Sequence, residues 1–106
     1  MIRVKTGPGV LEVQGHAGWG PRGQDIVCAG ASALVYTLAG YLEETGDLLG
    51  CRLEPGYALV QGRGEAFRVA EKGLRMLAEA YPGAVEVRGD GPAGGARRAV
   101  ISACGG

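Results

Sequence analysis

The chain has little of what several large functional classes need. Its 106 residues carry 11 Lys and Arg against 11 Asp and Glu. Proteins that bind nucleic acid mainly through its phosphate groups usually have an excess of basic residues. No signal-peptide pattern opens the chain. The longest apolar stretch, Ile26 to Leu42, is interrupted by glycine and hydroxyl residues and falls short of the roughly 20 residues of a membrane span. We therefore expect a cytoplasmic protein with no membrane partner and no direct nucleic-acid partner.

Metal-ligating residue types are also scarce. The chain has a single histidine, His16, and three cysteines, which are Cys28, Cys51 and Cys104. The cysteine spacings match no zinc pattern, and a four-ligand site would have to recruit carboxylates. The sequence therefore predicts neither a metal site nor a cofactor. Cys51 falls in the middle of a predicted strand and is expected in the core.

Glycine, in contrast, is abundant. The 21 glycines are about three times the average usage of roughly 7%, and they follow no fixed period. One cluster, Gly15 to Gly23, flanks the histidine, and another closes the chain. Hydrophobic residues make up 46% of the sequence, which is typical of a soluble globular domain. The whole chain, 1–106, is predicted to be one domain with a core of about 1–90 and a flexible tail over 91–106.

The hydrophobic patterning predicts seven elements. Segments that alternate apolar and polar residues indicate strands, and segments with apolar residues three or four positions apart indicate helices. Gly7-Pro8-Gly9 and Glu54-Pro55-Gly56 are typical of hairpin turns. The predicted elements are strands 2–6 and 10–14, a helix over 26–45, strands 48–53 and 57–61, a helix over 65–81 and a strand over 84–88. The order ββαββαβ predicts an α+β domain with a mostly antiparallel sheet and two helices.

The chemistry is concentrated where the first helix begins. Gly15-His16-Ala17-Gly18 ends the second strand, and Asp25-Ile26-Val27-Cys28 opens the helix. Asp25 is a good N-cap residue, which puts Cys28 in the first helical turn. There, unpaired backbone N–H groups and the helix dipole favour a thiolate. If His16 approaches Cys28, it can take the thiol proton, so this pairing predicts a cysteine nucleophile with a histidine base.

Each of these residues also has a structural interpretation. Free cysteine is often buried in cores, and a single histidine at a strand end is often only a polar surface residue. Asp25 is expected to cap the helix, whether or not it also orients His16. Ser32 lies one turn beyond Cys28 on the same face, where its hydroxyl either bonds the thiol or packs as a small side chain. Trp19, in the glycine loop, either contacts substrate or folds back onto the core.

These motifs resemble a known family. Gly15-His16-Ala17-Gly18 and Asp25-Ile26-Val27-Cys28-Ala29, with Ser32-Ala33-Leu34 beyond, are similar to the ribosomal-processing cysteine protease family Prp. The resemblance implies a small cytosolic bacterial homodimer. Its substrate would be large-subunit ribosomal protein twenty-seven, from which it removes an N-terminal extension during ribosome assembly. It also implies a His16–Cys28 catalytic dyad, with Asp25 and Ser32 at further polar positions of the site.

Two further expectations follow from the same region. Gly18, Trp19, Gly20 and Gly23 are expected to form a mobile substrate loop. The alternative to a protease is a non-enzymatic ribosome-assembly factor that binds a ribosomal protein or RNA through this glycine-rich loop. A third hypothesis, a redox-sensing thiol protein, has less support, because the sequence shows no resolving cysteine near Cys28.

Overall fold

Five strands form one mixed sheet, and two helices pack together against it. The computed structural model describes residues 1–21 and 23–89. The elements are β1 (Ile2–Gly7), β2 (Val10–Gln14), α1 (Ile26–Thr45), β3 (Leu48–Glu54), β4 (Tyr57–Gly62), α2 (Ala66–Ala80) and β5 (Val85–Gly89). The order ββαββαβ and the α+β class are confirmed.

The strand order in the sheet is β3-β4-β2-β1-β5. Three of the pairings are antiparallel: β1 with β2, β2 with β4, and β4 with β3. The fourth, between β1 and β5, is parallel, with Ile2 opposite Val85. It is parallel because α2 carries the chain back across the sheet from β4 to β5. The expectation of a mostly antiparallel sheet is confirmed.

Most predicted element bounds agree with the structure to within one residue. The second helix is shorter than predicted, because Glu65 and Tyr81 are its capping residues rather than members of it. The first helix ends where expected, at Thr45, because Gly46 adopts a left-handed conformation with a φ of 84° that favours glycine. The predicted tail over 91–106 lies outside the described residues.

The spacing of apolar residues in α1 predicts one buried face formed by Val27, Ala31, Leu34, Leu38 and Leu42, and the structure differs from this in part. Val27, Ala31, Leu38 and Leu42 are buried as expected, but Val35 is buried in place of Leu34. Leu34 is only partly buried and packs at the edge of the core. It points instead toward α2, so the helix has two contact surfaces, one for the sheet and one for its neighbouring helix. Cys51 lies in the core, with 1% of its surface exposed, as predicted.

The apolar character of α1 also meets a membrane criterion. The helix has 20 residues and a mean hydropathy of 1.4 over its most apolar window, so by length and composition alone it is able to cross a membrane. The apolar stretch Ile26 to Leu42 by itself is too short for such a span, but the helix continues to Thr45. Core helices of globular domains pass the same test, and α1 contributes six buried residues to this core.

The two helices approach closely at two glycines. A Cβ placed on Gly30 of α1 would lie 3.4 Å from the Leu77 side chain of α2. One placed on Gly73 of α2 would lie 2.7 Å from the Leu34 side chain of α1. The leucine of each helix therefore sits over the glycine of the other, and the helices run antiparallel. This packing brings the C-terminal end of α2, where Tyr81 lies, beside the N-terminal end of α1.

Candidate active site

Cys28 lies in the first turn of α1, at a helix start that Asp25 organises. One carboxylate oxygen of Asp25 accepts hydrogen bonds from the backbone N–H groups of Val27 and Cys28, both at 3.0 Å. The other accepts the backbone N–H of Trp19 at 2.8 Å. The predicted N-cap is confirmed, and both oxygens of the carboxylate are engaged by backbone donors. Within the described residues, Asp25 makes no hydrogen bond with His16.

The thiol of Cys28 is half-buried and accepts a hydrogen bond from the loop that precedes the helix. The backbone N–H of Ala17 lies 3.3 Å from the Cys28 Sγ. A donor in this position favours a negative charge on sulfur. Ala17 itself is buried, whereas the glycines and proline of the segment 17–24 predict an exposed loop. The start of the loop is buried because the Ala17 side chain belongs to the hydrophobic core.

His16 is exposed at the end of β2 and lies over the turn between β3 and β4. A Cβ placed on Gly56 would lie 3.0 Å from His16 Nε2, and the N–H of Gly15 donates to the Gly56 carbonyl at 3.0 Å. Gly56 has a φ of +77°, a conformation that favours glycine. The turn therefore supports the imidazole through a residue that has no side chain to displace it. No hydrogen bond joins His16 to Cys28 within the part of the chain that the structure describes.

Two cavities meet at these residues. The inner cavity, of about 230 Å³, extends toward the sheet between Ile2, Val13 and Val35. The loop cavity, of about 620 Å³, extends along the glycine loop past Gly18, Gly20 and Gly23. The described residues that line both are His16, Cys28, Ser32 and Pro55. The thiol-bearing and imidazole-bearing residues thus line two adjoining cavities.

Most of the remaining predicted site residues line one or both cavities, and Trp19 lines neither. Ser32 is exposed one turn beyond Cys28 and lines both cavities. Gly18, Gly20 and Gly23 line the loop cavity. Trp19 is not among the residues that line either cavity, and its ring contacts Tyr81. The catalytic and substrate-binding roles of all these residues stay predictions.

Sequence reasoning missed the Pro55-Gly56 turn as part of the site. The pair was interpreted only as a hairpin turn, since proline followed by glycine is typical of that geometry. Its position beside His16 depends on β2 and β4 being neighbours, with Gln14 opposite Tyr57. No local pattern in the sequence predicts that β2 and β4 are adjacent.

The charge on Asp25 has a consequence for stability. The hydrogen bond from the backbone N–H of Cys28, followed by those from Trp19 and Val27, holds the pKa of the Asp25 carboxyl below its usual 3.8, although burial opposes this. A carboxyl whose pKa is lowered by folding stabilises the folded state above its unfolded pKa. That stabilisation is lost as the pH falls through the lower folded value.

We expect Asp25→Asn to lower the melting temperature most at neutral pH. An amide keeps one oxygen acceptor but cannot accept at both positions, so either the helix cap or the Trp19 N–H loses its partner. The difference from wild type should shrink as the pH is lowered below about 3.8, the ordinary aspartate value. Thermal denaturation across this range, followed by circular dichroism, measures it. Glu79→Gln, which removes a carboxylate exposed on α2, is the control, and a pH-independent difference would contradict the prediction.

In this α+β fold, a half-buried thiol at a helix N-terminus and an imidazole line the same two cavities, an arrangement typical of small cysteine hydrolases. The chain matches the family described as cysteine protease Prp over residues 1–86, and it belongs to that family. It is a cysteine protease. Among curated proteins, none matches the chain.

Solved structures share the fold. An essential ribosomal processing protease Prp from S. aureus, in complex with a covalently linked product peptide, is 20% identical, with a TM-score of 0.74 over 85% of this chain and 100% of that chain. The same S. aureus protease with a substrate peptide is 19% identical, with a TM-score of 0.69 over 85% and 100%. SMU.848 from Streptococcus mutans is 26% identical, with a TM-score of 0.70 over 86% of this chain and 95% of that chain.

Proposed function

We propose that this protease removes the N-terminal extension of large-subunit ribosomal protein twenty-seven during ribosome assembly. The observation that carries the proposal is that Cys28 and His16 line the same two cavities, in a chain of the Prp family. The structurally similar S. aureus protein is a ribosomal processing protease that was captured with a covalently linked product peptide. We place the reaction in the cytoplasm, where ribosomes are assembled.

The reaction proceeds through a thioester. His16 takes the proton from the Cys28 thiol, and the sulfur attacks the scissile carbonyl carbon. The peptide C–N bond then breaks, and the new amine leaves with the proton held by His16. A water molecule, deprotonated by His16, hydrolyses the thioester and releases the cleaved extension. The Ala17 N–H, already 3.3 Å from Sγ, stabilises the thiolate before the attack.

The two cavities receive the peptide on either side of the scissile bond. The inner cavity is walled mainly by apolar side chains such as Ile2, Val13 and Val35, so it accepts an apolar residue of the substrate. The loop cavity runs beneath Gly18, Gly20 and Gly23, and it accepts the extended peptide beyond the bond. The glycine loop opens to admit the substrate and closes over it to exclude water.

The active species is proposed to be a homodimer. α1 leaves Tyr36 and Tyr41 about half exposed, at 55% and 53%; Tyr36 lines the inner cavity, and Tyr41 lies on the part of the helix near α2. Large aromatic side chains are enriched at protein interfaces, which supports a second copy of the chain against α1. Sedimentation equilibrium tests the dimer, and a monomeric mass at assay concentration would contradict it.

The test of the proposed substrate is a cleavage assay read by intact mass. The purified protein is incubated with the host's ribosomal protein twenty-seven carrying its encoded N-terminus, with Cys28→Ala as the parallel reaction. We expect one discrete N-terminal peptide to be lost with the wild type only. Tight binding by both forms without cleavage would overturn the substrate proposal and favour the non-enzymatic assembly factor.

A further inference from the structure

Trp19 and Tyr81 form an aromatic contact on the outer side of the active-site loop. Their ring centroids lie 5.0 Å apart, with an angle of 76° between the ring planes. This edge-to-face arrangement is one of the preferred geometries of aromatic pairs. Trp19 is otherwise 52% exposed. The contact joins the glycine loop to the end of α2, an element that contributes no described residue to either cavity.

Tyr81 is a fixed point for this contact. Its backbone N–H donates to the Leu77 carbonyl at 2.9 Å, and its own carbonyl accepts the N–H of Ala84 at 3.0 Å. Leu77 in turn packs over Gly30, near the start of α1. The Tyr81 backbone is therefore held by α2 on one side and by the residue before β5 on the other, while Trp19 belongs to a loop rich in glycine.

The loop beside Trp19 holds the donors that reach the helix start. The Trp19 N–H binds Asp25, and the Ala17 N–H, two residues earlier, binds the Cys28 sulfur. Only the Ala17–Gly18 peptide separates the two donors, so the position of the Trp19 backbone limits where the Ala17 N–H can lie. The aromatic contact anchors this segment through a side chain that lines neither cavity.

The geometry points to Trp19 and Tyr81 as positioning residues, an aromatic clamp that holds the Ala17 N–H against the nucleophilic sulfur. The clamp acts through the loop backbone and contacts neither the substrate nor the reacting atoms. It rests on the proposed function, in which Cys28 is the nucleophile. Loss of the clamp is therefore expected to lower the thiolate fraction and kcat, with little effect on KM.

Two variants test the clamp. Tyr81→Leu removes the partner ring, and Trp19→Leu removes the loop ring while leaving α2 unchanged. The readouts are kcat, KM and the ratio of iodoacetamide alkylation rates of Cys28 at about pH 7 and about pH 9.5, followed by peptide mass spectrometry. The ratio cancels changes in access to the sulfur, since access affects both rates alike. We expect the ratio and kcat to fall roughly three- to tenfold in both variants, as for a weakened hydrogen bond to a charged group.

The control variants distinguish failure of the aromatic clamp from failure of the proposed role of Cys28 as the nucleophile. Tyr81→Phe keeps the ring and should restore the wild-type ratio, and Met76→Ala removes another exposed side chain of α2 and should leave the ratio unchanged. An unchanged ratio and kcat in both leucine variants, with Cys28→Ala inactive, would overturn the clamp alone. Cleavage by Cys28→Ala would overturn the nucleophile assignment, and the clamp with it.

Discussion

Cys28→Ala is expected to abolish peptide cleavage, with kcat/KM reduced by at least roughly three orders of magnitude. Alanine has no atom that can attack the scissile carbonyl, and no thioester can form. The other groups at the site remain in place, so the variant should still bind the substrate. Intact-mass analysis of substrate incubated with each form measures the loss, and cleavage at the wild-type rate would exclude Cys28 as the nucleophile.

The same variant should remain folded. Cys28 contributes to the helix cap through its backbone N–H, which donates to Asp25 and is present in alanine. The side chain is only half-buried, so removal of its sulfur atom should lower the free energy of unfolding only modestly. What is lost is the sulfur acceptor of the Ala17 N–H. Cys28→Ser is the matched variant, because its hydroxyl keeps an acceptor there while being a weaker nucleophile. Near-wild-type circular dichroism and melting curves are expected for both.

The helix start that carries Cys28 is predictable from sequence because its physics is local. A carboxylate at the N-cap accepts from donors two and three residues ahead, and the observed bonds from Asp25 to Val27 and Cys28 are of this kind. The stop at Gly46 is equally local, since only the conformation of that residue decides it. Short-range interactions of this kind require particular residue types at fixed spacings, and these can be recognised in the sequence.

The surroundings of His16 and Trp19 were not predictable, because they depend on pairings between distant segments. Gly56 lies beside His16 only because β2 and β4 are neighbours in the sheet. Trp19 meets Tyr81 only because the two helices run antiparallel over Gly30 and Gly73. The burial of Val35 in place of Leu34 has the same origin, since a periodic pattern does not say which side of a helix faces a second helix. Alternating patterns predict that strands exist but not which strands are adjacent.

His16→Ala is expected to lower kcat by roughly two to four orders of magnitude, the usual contribution of a positioned general base. The residual rate should be higher than that of Cys28→Ala, because the nucleophilic sulfur remains. Steady-state kinetics on a peptide spanning the cleavage site measures both rates, and a wild-type kcat in His16→Ala would contradict the base role.

Chemical rescue separates a missing base from a disturbed structure. His16 is exposed, and its removal leaves space above Gly56 at the junction of the two cavities, so added imidazole can enter and take the thiol proton. We expect imidazole to restore part of the His16→Ala rate but none of the Cys28→Ala rate. Gly56→Ala is a less clean perturbation: its Cβ would lie 3.0 Å from His16 Nε2, but an alanine at a φ of +77° also strains the turn. An imidazole response by His16→Ala, with none by Cys28→Ala, would establish His16 as the group that takes the proton from Cys28.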